Sequence, residues 1–96
     1  MKRRQEEQVG DVIRQFMRAE GIETPYNEFR IVQAWPEVMG PGVNRCTDKI
    51  YVKGGVLYVH LTSSVLRHEL FLLRQRLIQR LNDYVGAQVI TKIVFC

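Results

Sequence analysis

The sequence lacks most of what small proteins use for catalysis, for cross-linking or for entering a membrane. It has two cysteines in 96 residues, Cys46 and Cys96, too few for a disulfide framework. In a reducing compartment both stay free thiols. No apolar run approaches the ~20 residues that span a bilayer. The start MKRRQEEQ is basic but has no apolar stretch behind it, so it does not read as a secretory leader, and the chain is expected to stay in the cytosol. The two histidines, His60 and His68, and the two cysteines lack the paired short spacings of zinc sites. Neither Gly40-Pro41-Gly42 nor Gly54-Gly55 is followed by Lys-Ser/Thr, which excludes an NTPase phosphate loop. Ser63 and Ser64 neighbour both histidines, yet no acid is placed to orient an imidazole and helix capping explains both hydroxyls. The expectation is a protein with no catalytic residues, no cofactor and no metal.

What is present fits one small domain. At 46% hydrophobic and 25% charged residues the composition is that of an ordinary globular chain with a single core. Residues 1–8 are expected to form a flexible basic tail and residues 9–96 one α/β domain, without repeats, low-complexity segments or a linker. The charge is divided unevenly. Residues 1–43 carry six Lys/Arg against seven Asp/Glu, and residues 44–96 carry eight against three. The whole positive excess therefore lies in the second half, an electrostatic footprint suited to a polyanion and most often to nucleic acid.

The organising stretch is Thr62 to Gly86, TSSVLRHELFLLRQRLIQRLNDYVG. Leu66, Leu70, Leu73, Leu77, Leu81 and Tyr84 recur at steps of three and four, flanked by Phe71, Ile78 and Val85, which predicts one long amphipathic helix. Ser63 or Ser64 caps its start and Gly86 stops it. Before it, Val9, Val12, Ile13, Phe16 and Met17 predict a helix over 6–20 ended by Gly21. Thr24-Pro25 opens a second helix whose apolar side is Phe29, Ile31, Val32 and Trp35. Pro36 is expected to kink or break it, with an end at Val38-Met39-Gly40 and a turn at Gly40-Pro41-Gly42.

Residues 47–61 alternate with period two around Gly54-Gly55, a hairpin signature. Pairing across that turn sets Val52 opposite Leu57, Ile50 opposite Val59 and Asp48 opposite Leu61, all facing the helices. Lys53 with Val56, Tyr51 with Tyr58 and Lys49 with His60 then share the other face. Val89 to Phe95 reads as a third strand, with Ile90, Lys92 and Val94 on that second face. The long helix has the length of a crossover, so the third strand is expected parallel to the second. The fold class expected is α+β, order α-α-β-β-α-β, a three-stranded mixed sheet with helices on one face.

Two constellations suit a nucleic acid. On the open sheet face Tyr51, Tyr58 and His60 are interleaved with Lys49, Lys53 and Lys92, where bases can stack on rings while ammonium groups meet phosphates. A structural alternative is a Tyr51/Tyr58 cross-strand pair that steadies the hairpin among solubilising lysines. A third is an apolar patch of Val56, Ile90 and Val94 that binds a protein or a second copy, as a homodimer. The second constellation is the start of the long helix. Free N–H groups near Ser64 suit an anion, and Arg67 in that first turn calls for a compensating group: a phosphate, Glu69 or a carboxylate from the first half. Arg74, Arg76 and Arg80 continue the positive charge along the helix flanks.

Trp35 followed by Gly40, then GGVLYVHLTSSVLRHEL, LIQRLNDYVG and the closing VITKIVF, resemble the DciA-type family of bacterial proteins from about Val9 to Phe95. The resemblance implies a K-homology-like α/β domain. It also implies a role with the replicative DnaB-type helicase, helping to place it on single-stranded DNA, and family members are further described as RNA-binding. Many members continue past the last strand into a basic flexible tail, whereas this sequence stops at Cys96. The G-x-x-G clamp of K-homology domains proper has no counterpart at Gly40-Pro41-Gly42. The matched positions Trp35, Leu57, Val59, Leu70 and Leu81 are expected in the core.

Overall fold

A computed structural model describes residues 10–16, 18, 21 and 23–96. The expected tail over 1–8 lies outside the described residues. The elements are helix α1 (residues 10–16), α2 (Glu23–Arg45), β1 (Thr47–Lys53), β2 (Val56–Leu61), α3 (Ser64–Leu72), α4 (Arg74–Val85) and β3 (Lys92–Phe95). The strands form one sheet in the order β1-β2-β3, with β1 antiparallel and β3 parallel to β2. The α+β class, the order and the mixed sheet are as the sequence predicts, except that the long helix is two.

The hairpin follows its alternation. Lys53 pairs with Val56, Val52 with Leu57, Tyr51 with Tyr58, Ile50 with Val59 and Lys49 with His60. Gly54 and Gly55 take φ of 58° and 76°, the positive values that let a two-residue turn match the strand twist. The one departure is at the open end, where Thr47 rather than Asp48 stands opposite Leu61, because the register shifts between Thr47 and Lys49. The irregularity frees Thr47 for another duty. Its Oγ1 accepts from the Trp35 indole N–H at 3.0 Å and donates to the Val43 carbonyl at 2.9 Å.

Trp35 is fully buried, with Ile31, Leu57, Val59, Leu81 and Ile90 the other large side chains wholly out of water. Helix α2 passes through Pro36 without leaving helical geometry, and its break falls four residues later at Gly40 (φ 84°, ψ 173°). The expected break at Pro36 is therefore corrected. Proline's fixed φ is itself helical, so Pro36 costs mainly one N–H bond while Ile31, Ala34 and Trp35 hold the turn on the core. Pro41 disfavours helical geometry at its predecessor, which the packing of Trp35 overrides before Pro36, and Gly40 instead takes a positive-φ conformation open essentially to glycine. Residues after Gly40 resume as helix to Arg45, so Gly40-Pro41-Gly42 is a kink rather than a loop. Phe29 and the α1 residues Val12, Ile13 and Phe16, expected to pack inward, are all more than half exposed.

The predicted single helix breaks at Leu73 (φ −98°, ψ 7°), whose N–H donates to the carbonyls of Leu70 and Phe71. Ser63 Oγ caps α3 by accepting from the Leu66 N–H at 3.2 Å, and Gly86 ends α4 with φ 75°. The run Leu70-Phe71-Leu72-Leu73 points apolar groups in every direction, and one straight helix cannot bury them all. With the break, Leu70 is buried beside β2 while Leu77, Leu81 and Val85 are buried where α4 meets α2 and β3. Phe71, Leu73 and Tyr84, expected within the buried stripe, are exposed instead.

Helix α4 also carries the one buried polar side chain among the described residues, Asn82. Its Oδ1 accepts from the backbone N–H of Val89 (3.0 Å) and Ile90 (3.1 Å), and its Nδ2 donates to the Ile90 carbonyl at 2.8 Å. These bonds hold residues 88–90 against the helix, so the last strand starts at Lys92, not Val89. They also put Ile90 in the core rather than on the open sheet face.

Candidate nucleic-acid interface

Alternation along three adjacent strands arranges the uncovered face of the sheet as rows. Helices cover the face of Leu57, Val59 and Ile93, so the intervening residues look outward. One row is Lys53, Val56 and Lys92, and the next is Tyr51, Tyr58 and Val94. The third begins with Lys49 and His60. The Cys96 N–H donates to the Val59 carbonyl and its own carbonyl accepts from the Leu61 N–H, the pattern that sets Cys96 beside His60 in a parallel ladder. Lysines thus stand at both ends of the face with aromatics between them. At about 3.3 Å per residue the two lysine-bearing ends of β1 are ~13 Å apart.

The rings have a definite arrangement. Tyr51 and Tyr58 have centroids 5.0 Å apart and planes 14° from parallel, and Tyr51 and His60 follow at 6.0 Å and 28°. Rings this close overlap face to face rather than lie side by side on the sheet. Tyr51 therefore packs against two rings, Tyr58 and His60. The Lys49 ammonium lies 5.3 Å from the centroid of Tyr51, a cation–π contact that keeps the charge at the stack. His60 Nε2 is shielded and has no hydrogen-bond partner among the described residues. A strand of nucleic acid crossing this face would meet hydroxyl-bearing ring edges, the remaining ring faces and a cation at either end.

Of the sequence-predicted site residues, the fold brings together Lys49, Tyr51, Lys53, Tyr58, His60 and Lys92. It does not bring Ser64, Arg67 and Arg74 to them, because α3 and α4 belong to the helical layer behind the sheet. Arg67 does have a compensating group, though none of those expected: its Nη2 donates to the Leu61 carbonyl at 3.1 Å. Its Nε is buried without a partner among the described residues. Arg74 lays its guanidinium 4.2 Å from the Phe71 ring centroid and donates Nη1 to the Phe71 carbonyl at 3.0 Å. Ser64, Arg67, His68, Phe71 and Phe95 line a separate groove of about 260 Å³.

Cavities of about 440 and 460 Å³ lie elsewhere, one under α1 beside the Arg18–Glu23 ion pair (3.1 Å) and one beside the hairpin turn. Neither touches the tyrosine row. Among the described residues no group of three or more His, Cys, Asp or Glu side chains is placed to hold a metal ion. No helix among them is long and apolar enough to cross a membrane.

Fold and surface together define a small α+β module whose open sheet face carries rings and cations. The family model described as "Dna[CI] antecedent, DciA" matches residues 8–95, nearly the whole sequence, and the chain belongs to the DciA family. Membership carries a role of the helicase-loader kind in bacterial replication, in association with the DnaB-type helicase. No curated protein matches the sequence.

Proposed function

We propose that this DciA-family chain is a non-catalytic adaptor that holds single-stranded nucleic acid on the open sheet face and assists the DnaB-type helicase on single-stranded DNA. The observation that carries the proposal is the ring cluster in which Tyr51 stacks on both Tyr58 and His60 on the open sheet face, with Lys49 against it and Lys53 and Lys92 at the far end. Aromatic stacking tolerates any base and the lysines attract any phosphate, so binding is weak and without strong sequence preference. The same chemistry accommodates RNA, and competition between the two nucleic acids ranks them.

The test is a titration of a labelled single-stranded oligonucleotide at low salt. Binding at or below ~100 μM that weakens steeply as salt rises supports the proposal, because phosphate contacts must release counterions. No binding, or binding indifferent to salt, rejects it.

A second reading, a protein-interaction module that meets the helicase without touching nucleic acid, is favoured by one observation: the two tyrosines already stack on each other. Co-elution with the helicase in the absence of nucleic acid, together with a failed oligonucleotide titration, would select it. A sheet face found buried between two copies would select a homodimer.

A further inference from the structure

The two edges of the sheet are finished differently. A two-residue turn closes on a hydrogen-bonded pair, so Lys53–Val56, Tyr51–Tyr58 and Lys49–His60 bond across the hairpin. The N–H and C=O groups of Ile50 and Val52 then point away from β2, and none has a partner among the described residues. The side chains of Ile50 and Val52 lie on the helix-covered face, opposite Val59 and Leu57. They are only partly buried, whereas Val59 and Leu57 are wholly so. At the other edge Ile93 of β3 is already buried. The apolar layer is closed at Ile93 and left open along β1.

The edge constrains what can complete it. N–H donors and carbonyl acceptors alternate along it. Phosphates offer acceptors alone, whereas another extended polypeptide meets both. On the outer face Lys49 and Lys53 stand on either side of Tyr51, and neither pairs with a carboxylate among the described residues. Asp48 lies within the register shift and Glu28 lies across the cavity at the hairpin turn. A strand added to β1 would set residues directly opposite Lys49 and Lys53, where acids are favoured. Its alternate residues would lie beside Ile50 and Val52, where apolar ones are favoured. A second copy fits worse. The register that pairs the whole regular stretch Lys49–Lys53 with itself sets Lys49 against Lys53 at both ends, and a shift of two residues runs it into the bulge or the turn.

We propose that the free edge of β1 receives, as a fourth strand, an extended segment of a partner protein in which acidic and apolar residues alternate. Its backbone bonds to Ile50 and Val52, its acids meet Lys49 and Lys53, and its apolar side chains continue the core past Ile50 and Val52. The inference shares two lysines with the sheet-face reading but does not rest on it, since the edge pairs whether or not a base meets the tyrosines.

The probe is a labelled synthetic peptide of alternating valine and glutamate, titrated with the full chain and followed by amide hydrogen exchange. With the peptide bound, the Ile50 and Val52 amides should exchange at least about tenfold more slowly, while those of Lys49, Tyr51 and Lys53, already bonded to β2, change little. Val52→Pro removes one outward donor without touching the hairpin bonds and should weaken the peptide by about tenfold or more. The exchange measurement uses the unsubstituted chain, so it decides even where that variant unfolds. An alternating valine–lysine peptide should bind at least about tenfold more weakly. Absent binding of the valine–glutamate peptide, binding that leaves the Ile50 and Val52 amides unprotected, a smaller loss in a folded Val52→Pro chain, or equal binding of the lysine peptide overturns the proposal. Protection of the two amides by self-association without peptide overturns it in favour of a second copy. Protection of them by an oligonucleotide overturns it in favour of a nucleic acid.

Discussion

The two faces of the sheet are built from alternate residues of the same three strands, and they meet opposite demands. Leu57, Val59 and Ile93 press against Ile31, Trp35, Leu77 and Leu81 in a core where the polar atoms of Trp35 and Asn82 all have partners. Tyr51, Tyr58 and His60 lie on the other side, the latter two stacked on Tyr51 and all three partly open to water, with lysines at both ends. The buried face is organised for stability, so substitutions there should cost folding free energy. The open face is organised for contact, so substitutions there should cost affinity and spare the fold. The difference teaches that rings on a sheet do not by themselves mark a core, because what covers them decides.

The contrast can be broken most severely at Trp35. Trp35→Ala removes the largest buried side chain and leaves Thr47 Oγ1 without its donor, and should cost about 3–5 kcal/mol in urea unfolding. Tyr51→Ala in the same assay should cost under ~1 kcal/mol, the scale of a cross-strand pair. A Tyr51 cost matching that of Trp35 would show that the open face is structural. Asn82→Leu is next, at ~1–3 kcal/mol or more, because the buried Ile90 N–H and carbonyl lose their partner. Faster amide exchange over residues 88–91 would report it.

On the open face the sign of the contrast reverses. Tyr51→Ala with Tyr58→Ala should weaken single-stranded oligonucleotides by ~1–3 kcal/mol per lost base stack, and duplex by less. Tyr51→Phe with Tyr58→Phe keeps the rings and should retain most of that affinity. Lys53→Gln with Lys92→Gln is expected to have the smallest effect at physiological salt. Its signature is a shallower dependence of log affinity on log salt, by ~1.4 for two lost single-strand phosphate contacts. An unchanged slope would remove these lysines from the interface.

The hairpin and the helices differ in how much of them could be read from residues. Period-two alternation around Gly54-Gly55 is rigid, because a slip of one residue turns every side chain to the wrong face. The Tyr51–Tyr58 pairing was legible for that reason, and with it most of the candidate interface. The helix break at Leu73 was not, since no glycine or proline marks it and the apolar spacing runs straight through. Asn82 was equally hidden. On a helix it reads as one more solvated amide, and only the return of residues 88–90 supplies three backbone partners. Arg67 and Arg74 were expected as a second cationic site at the start of the long helix, and the carbonyls of Leu61 and Phe71 that engage them could not be read from spacing.

Sequence alone determined the order of elements, the hairpin register from Lys49 to His60, the helix start at Ser63 or Ser64, the helix stop at Gly86, and the excess of positive charge in the second half, because each depends on local stereochemistry or simple counting. Tertiary structure alone decided which of two prolines bends α2, where the long amphipath divides, and which carbonyls engage Arg67 and Arg74. Those outcomes depend on neighbours distant along the chain: the partner that buries a leucine, the carbonyl that occupies an arginine, the layer that lies between two charged patches. Local pattern specifies a side chain's direction, and only packing specifies what it meets.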